Sequence, residues 1–242
     1  MDLQGKSILV TGASGNVGGA IARALHARGA TVKGAGRNVA ALEALQRELG
    51  DRVETLPGTL ASADDADGLA ERAGPVDALV AVAGISPIGS FAEHTRAEID
   101  GTLDLNVRVG LHLTRAVLPA MLERGHGHLL FISSVSGRAF SRGRSLYSST
   151  SYALRGFAGC LRLDLQGTGV GVTTVYPGPI ETPGDTELPG FKLDIPPERV
   201  AKAVVQGIEQ NKDEIVVAPL ILRTAVRLTA VAPRLGPPSP KD

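Results

Sequence analysis

A chain of 242 residues, 43% of them hydrophobic, holds enough apolar material for one sizeable core, and a single α/β domain of this length is ordinary. Its 25 basic residues balance its 25 acidic ones, which excludes a net field that would gather nucleic acid or acidic lipid and favours work on small molecules. Cys160 is the only cysteine, so no disulfide forms within the chain, and no apolar leader precedes the first strand; the expectation is a cytoplasmic protein forming one domain over residues 1–242.

Strand-like runs are predicted at residues 8–11, 31–35, 53–56, 78–81, 128–133, 171–176 and 215–217, with helical patterns between them. Apolar strands alternating with helices predict an α/β fold with a doubly wound, Rossmann-like parallel sheet and ligands at the carboxyl ends of the strands. The stretch ILVTGASGNVGGAIAR at residues 8–23 runs from strand through a glycine-rich turn into a helix. That context fits a dinucleotide fingerprint, with Gly12, Ser14, Gly15, Asn16, Val17 and Gly18 as the cradle. Glycine there admits the tight turn, the approach of a pyrophosphate to the backbone and the packing of helix on strand.

After the second strand an NAD site would place an acid for the ribose 2′-hydroxyl. This chain has Gly36 and then Arg37, which, helped by Lys33, suits the 2′-phosphate of NADP instead. Thr59 and Leu60 follow the third strand, and Ala81-Val82-Ala83-Gly84 closes the fourth, where Gly84 admits a close ligand. A helix is predicted over residues 102–123 with Asn106 near its start. The histidines His26, His94, His112, His126 and His128 have no metal-ligand spacing, so no metal is expected. Ser133 and Ser134 end the fifth strand, and Tyr147 opens the helical stretch that follows. Each of these residues alone reads as a cap or as packing; their joint placement after a strand end points to chemistry.

Residues 183–196 follow the sixth strand and are expected to cap the site as a substrate loop. Leu188, Phe191, Leu193 and Ile195, with Phe91 and Phe140, would then form an apolar pocket for a hydrophobic carbonyl compound. The helical pattern of residues 220–235 carries Arg223, Arg227 and Arg234 on one side. It is read as packing against the domain or a second subunit in preference to lying on a membrane. Residues 236–242, GPPSPKD, read as a frayed tail.

At this point the chain resembles the short-chain dehydrogenase/reductase family in its single-domain form. The resemblance rests on TGASGNVG at residues 11–18, Ala83-Gly84, Asn106, ISS at residues 132–134, Tyr147 and PGPIET at residues 177–182. It implies that Ser134 orients a substrate carbonyl, that Tyr147 exchanges a proton with its oxygen, and that Asn106 holds a water in the proton relay. Pro177, Gly178, Ile180 and Thr182 would lie against the nicotinamide, and the helices at residues 102–123 and 148–167 would join subunits into a homodimer or homotetramer.

The departures from the family pattern carry as much meaning as the matches. Gly15 and Asn16 give the glycine spacing of the family's extended branch, an asparagine is missing from residues 81–84, and Thr59 stands in place of an aspartate. The family's lysine four residues after the tyrosine is here Ser151. A lysine would bind the nicotinamide ribose and place a positive charge beside the phenol, and Ser151 keeps only part of the first task. A tyrosine with the ordinary pKa of about 10 remains a proton donor for reduction and is a poor base for oxidation, so the loss should harm oxidation more. Arg138, Arg142, Arg144 and Arg155 are near in sequence and are candidate sources of charge. The first expectation is an NADP-dependent reductase of a ketone or aldehyde. Ser151 keeps two others open: a non-redox isomerase, cyclase or dehydratase, and a catalytically impaired nucleotide-binding protein.

Overall fold

Seven β-branched, apolar runs pair edge to edge in one parallel sheet of order β3-β2-β1-β4-β5-β6-β7, in a computed structural model that describes residues 1–82, 84–181, 194–220, 222–224 and 226. The strands are β1 (Ser7–Val10), β2 (Thr31–Gly36), β3 (Val53–Pro57), β4 (Ala78–Ala81), β5 (Gly127–Ile132), β6 (Val170–Pro177) and β7 (Glu214–Val217). The helices are α1 (Asn16–Ala27), α2 (Val39–Leu49), α3 (Ala63–Ala73), α4 (Arg96–Leu103), α5 (Val109–Glu123), α6 (Ser145–Asp164) and α7 (Pro197–Gln210). All seven expected strands are present, and the sheet is the predicted Rossmann-like one.

Side chains alternate across the strands, so each strand feeds two cores. Ile8, Val10, Val32, Val80, Leu130 and Val175 pack with Ile21 and Leu25 of α1 and with Val200, Val204 and Ile208 of α7. Leu9, Leu79, Leu129, Phe131 and Val172 face the other way, onto Leu69 of α3, Leu113 and Met121 of α5, and Leu154 and Ala158 of α6. Burial on both faces is why these strands read as continuous apolar runs. The order reverses between β1 and β4, and that switch opens a crevice at their carboxyl ends.

The helix expected at residues 102–123 begins earlier and is interrupted. A capping box of Thr95 and Glu98 starts α4, in which Thr95 accepts from the Glu98 amide and Glu98 accepts from the Thr95 amide. A π-helical turn, Asp104–Arg108, then joins α4 to α5. Asn106 therefore lies in the middle of a long helical run, at its irregular turn, and not at a helix start. Ile195 is fully buried in the core beside Val200 and is not a pocket residue. It forms a parallel bridge with Ile180. Leu188, Phe191 and Leu193, like residues 227–242, lie outside the described residues.

Candidate active site

The glycine-rich turn is shaped by close approach. Gly12 has φ +66°, a conformation that favours glycine, and a Cβ on Gly18 would lie 2.1 Å from the Gly12 carbonyl oxygen. Helix α1 then starts after Gly15 with no side-chain cap and no acid in its first turn. Its first amides and the positive end of its dipole are left for an anion, which is the polarity a pyrophosphate needs. The Asn16 carboxamide donates to the Glu181 carbonyl at 2.8 Å, tying this turn to the segment after β6. That contact joins residues 165 positions apart and leaves no local signal in the sequence.

Two cavities meet along the crevice. The larger, about 560 Å³, is lined by Gly12, Ser14, Gly15, Asn16, Val17 and Gly18, and by Arg37, Thr59 and Leu60. Arg37 is exposed there and has no acidic partner among the described residues. Lys33 does not join it: its ammonium bonds the Ala73 carbonyl and lies 3.9 Å from Glu54. The smaller cavity, about 190 Å³, is lined by Asn106, Ser134, Tyr147, Ser151, Pro177, Gly178 and Ile180. Val17, Val82, Gly84 and Ile85 line both cavities, so the two form one continuous cleft. Ala83 and Thr182 fall outside the described residues.

Within the smaller cavity, Ser134 is nearly buried and its Oγ accepts from the Ser136 amide at 3.1 Å, the local turn that follows β5. Tyr147 is half-buried in the first turn of α6. The Asn106 carboxamide accepts from the Ile85 amide and donates to the Ile85 carbonyl, both at 2.8 Å, and donates to Thr150 Oγ1 at 3.1 Å. Both its donors are thus spent on bracing the loop after β4 against α6, a duty the sequence does not reveal. Thr150 is the residue that sequence reasoning missed, and its i+3 spacing from Tyr147 was the available clue.

Ser151 is buried, and its hydroxyl donates back to the Tyr147 carbonyl at 3.1 Å, one helical turn earlier. No lysine, arginine or histidine lines this cavity among the described residues. Arg138 and Arg155 are committed elsewhere. Arg138 pairs with Glu214 and stands 5.0 Å from the Tyr176 ring centre, while Arg155 lies 3.7 Å from Glu214. Tyr176 donates to Glu214 at 2.8 Å; burial, together with that carboxylate, pushes its phenol well above the ordinary value. Phe91 and Phe140 are exposed and absent from the cavity wall, Phe140 stacking on Tyr152 at 5.4 Å. The apolar lining comes instead from Val17, Val82, Ile85, Ile132, Leu154 and Ile180.

Comparison with known proteins matches this arrangement to an enzyme family. A family profile described as short chain dehydrogenase matches residues 6–215. The ketoacyl reductase HetN of Nostoc sp. is 34% identical over 227 residues, covering 89% of this chain and 79% of that protein. Among solved structures, a short-chain dehydrogenase from Streptomyces avermitilis superposes with a TM-score of 0.84 at 31% identity over 96% of each chain. The closed form of serine dehydrogenase complexed with NADP+ gives 0.80 at 27% identity, covering 89% of this chain and 95% of that one. On these matches, the chain belongs to the short-chain dehydrogenase family of oxidoreductases.

Proposed function

We propose that the protein is an NADP-dependent reductase of an apolar ketone or aldehyde. The observation that carries the reading is that Ser134, Tyr147 and the stretch Pro177, Gly178 and Ile180 share one cavity, open to the glycine-rich cradle through Val17 and Gly84. A bound nicotinamide cofactor supplies the hydride. The Ser134 hydroxyl donates to the substrate carbonyl and fixes its direction, and the Tyr147 hydroxyl gives the carbonyl oxygen its proton. Asn106 acts as a positioning residue through Ile85 and Thr150. Gly12, Ser14, Gly15, Asn16, Val17 and Gly18 hold the pyrophosphate, Arg37 holds the 2′-phosphate, and Thr59 and Leu60 flank the adenine. Solved relatives bound to NADP+ support this choice of cofactor. A homodimer in the cytoplasm completes the reading, with Ser149, Ala153, Gly156 and Cys160 exposed along α6 as the face for a second copy.

A second reading, a nucleotide-binding protein without redox turnover, is favoured by the inward-bonded Ser151 and by a cavity wall with no charged side chain among the described residues. One comparison separates the two. NADPH and NADH are titrated into wild type and Ser151→Lys, and nicotinamide absorbance is followed with a panel of apolar ketones. The reductase reading expects tight NADPH binding and measurable reduction by wild type. It also expects the pH at half-maximal alcohol oxidation to fall by about 1–3 units in Ser151→Lys, the effect of an opposite charge within about 4–6 Å. Tight NADPH binding with no turnover by either protein overturns it in favour of the second reading.

A further inference from the structure

We infer that the carbonyl substrate carries an anionic end, a carboxylate or a phosphate ester, and that Arg144 holds it at the mouth of the smaller cavity. The inference rests on the reductase reading for where the reacting carbonyl sits, and it refines the apolar substrate of that reading to one whose apolar chain ends in an anion. Arg144 immediately precedes α6, three residues before Tyr147. Its Nη1 donates to Ser86 Oγ at 3.1 Å, and Ser86 lines the same cavity as Tyr147 and Ser134. The Gly89 amide donates to the Gly143 carbonyl at 3.0 Å, stitching the loop after β4 to the loop before α6. Arg144 therefore stands where these two loops meet, one hydrogen bond from the cavity wall at Ser86.

Arg144 combines a place beside the cavity with the lack of an acidic partner among the described residues, a lack it shares with Arg37. Arg23, Arg28, Arg108, Arg115, Arg138 and Arg155 each have a carboxylate within ion-pair distance; Arg144 has none among the described residues. Serine is a neutral acceptor and uses one donor of a guanidinium whose planar fork is matched by carboxylate or phosphate oxygens. The cavity wall itself carries no described basic side chain, so an anion gains nothing deep inside and is served only at the rim. Ile85 and Ile88, exposed on the same loop as Ser86, offer apolar contact for the chain between the two ends. Arg144 and Tyr147 are three residues apart in the chain, so a short ketone chain is the first length to try between carbonyl and anion.

The test uses 4-oxopentanoate, 4-oxopentyl phosphate and methyl 4-oxopentanoate, one ketone chain ending in a carboxylate, a phosphate or a neutral ester. Binding to the full-length protein is measured by calorimetry, with and without NADP+, and reduction is followed with NADPH. The expected result is an acid-to-ester preference of at least about tenfold in wild type, lost in Arg144→Met and partly kept in Arg144→Lys. The wild-type preference should also shrink between 50 and 500 mM salt, a readout independent of any variant's folding. Stronger binding of the phosphate than of the carboxylate identifies a phosphate-bearing substrate, and the reverse a free keto acid; either supports the anion site. Equal binding of acid and ester by wild type, or a preference that survives Arg144→Met, overturns it. An Arg144-dependent preference without reduction of any compound leaves the anion site standing and removes the reductase. Reduction of acid and ester with equal efficiency does the opposite.

Discussion

At the scale of single residues, the cleft separates side chains that are committed from side chains that are free. Lys33 lies within β2 and Arg37 just beyond its end, and Lys33 is spent on the Ala73 carbonyl and Glu54. Arg37 borders the cavity from solvent with no acidic partner among the described residues. Gly36, just before it, faces Ser14 so closely that a Cβ would lie 2.3 Å from the serine Oγ, which locks the end of β2 against the cradle and fixes where Arg37 starts. A guanidinium so placed forms charge-assisted bonds to a 2′-phosphate and none of that strength to a 2′-hydroxyl. Arg37→Ala is accordingly expected to weaken NADPH by about 10- to 100-fold, the range for one or two such bonds, and NADH by less than about threefold. Fluorescence titration of both cofactors reads the difference, and equal losses would remove the 2′-phosphate assignment.

Among the elements, the π turn between α4 and α5 does the most for the site. Its irregular register accompanies the placement of a nearly buried Asn106 against the Ile85 backbone on one side and Thr150 of α6 on the other. Asn106→Ala removes the two hydrogen bonds to the Ile85 amide and carbonyl; because Ile85 borders the open cleft and water can take their place, each is worth about 0.5–1.5 kcal/mol. The variant should lose about 1–3 kcal/mol in urea unfolding; a loss under about 0.5 kcal/mol would show that the loop is held by something else. The sequence makes the strands plain and this turn invisible, for one physical reason. A parallel strand buried on both faces is apolar at most positions, so residues such as Leu129, Leu130 and Phe131 announce themselves. A π turn instead depends on one extra residue per turn and on contacts to Ile85 and Thr150, which lie 21 and 44 positions away. The same distance hid the Asn16 contact with Glu181 and the burial of Ile195. The capping box at Thr95 and Glu98, a purely local pattern, was open to reading.

For the molecule as a whole, stability is tied to one buried imidazole at the start of β5. His128 is 2% exposed, and its Nε2 lies 2.9 Å from Thr173 Oγ1 of β6, whose hydroxyl is also 2.6 Å from the Lys212 carbonyl. With the threonine donating to that carbonyl, Nε2 must carry the imidazole proton and donate to Thr173, so the neutral ring completes a chain from β5 to the start of β7. Burial pushes His128 from the ordinary 6.5 down to about 3. Between those values the unfolded chain binds a proton that the folded chain refuses, so stability is full above about pH 6.5 and falls as the pH drops, by about 1.4 kcal/mol per unit. The carboxylates Asp77 and Glu214 are themselves held below their ordinary values: burial opposes this, the Ser7 amide and Lys6 overcome it at Asp77, and Arg138 and Tyr176 at Glu214. Their contribution is therefore lost only at more acid pH, which leaves pH 5.2–6.5 to the histidines. His26, also lowered by burial, remains in the variant and cancels in the difference. Urea unfolding at pH 7.5, 6.2 and 5.2 should show wild type losing stability steeply across this window, and His128→Gln, less stable at pH 7.5, losing far less of what it has. Parallel slopes for the two proteins would mean that the ring accepts its proton without opening the sheet.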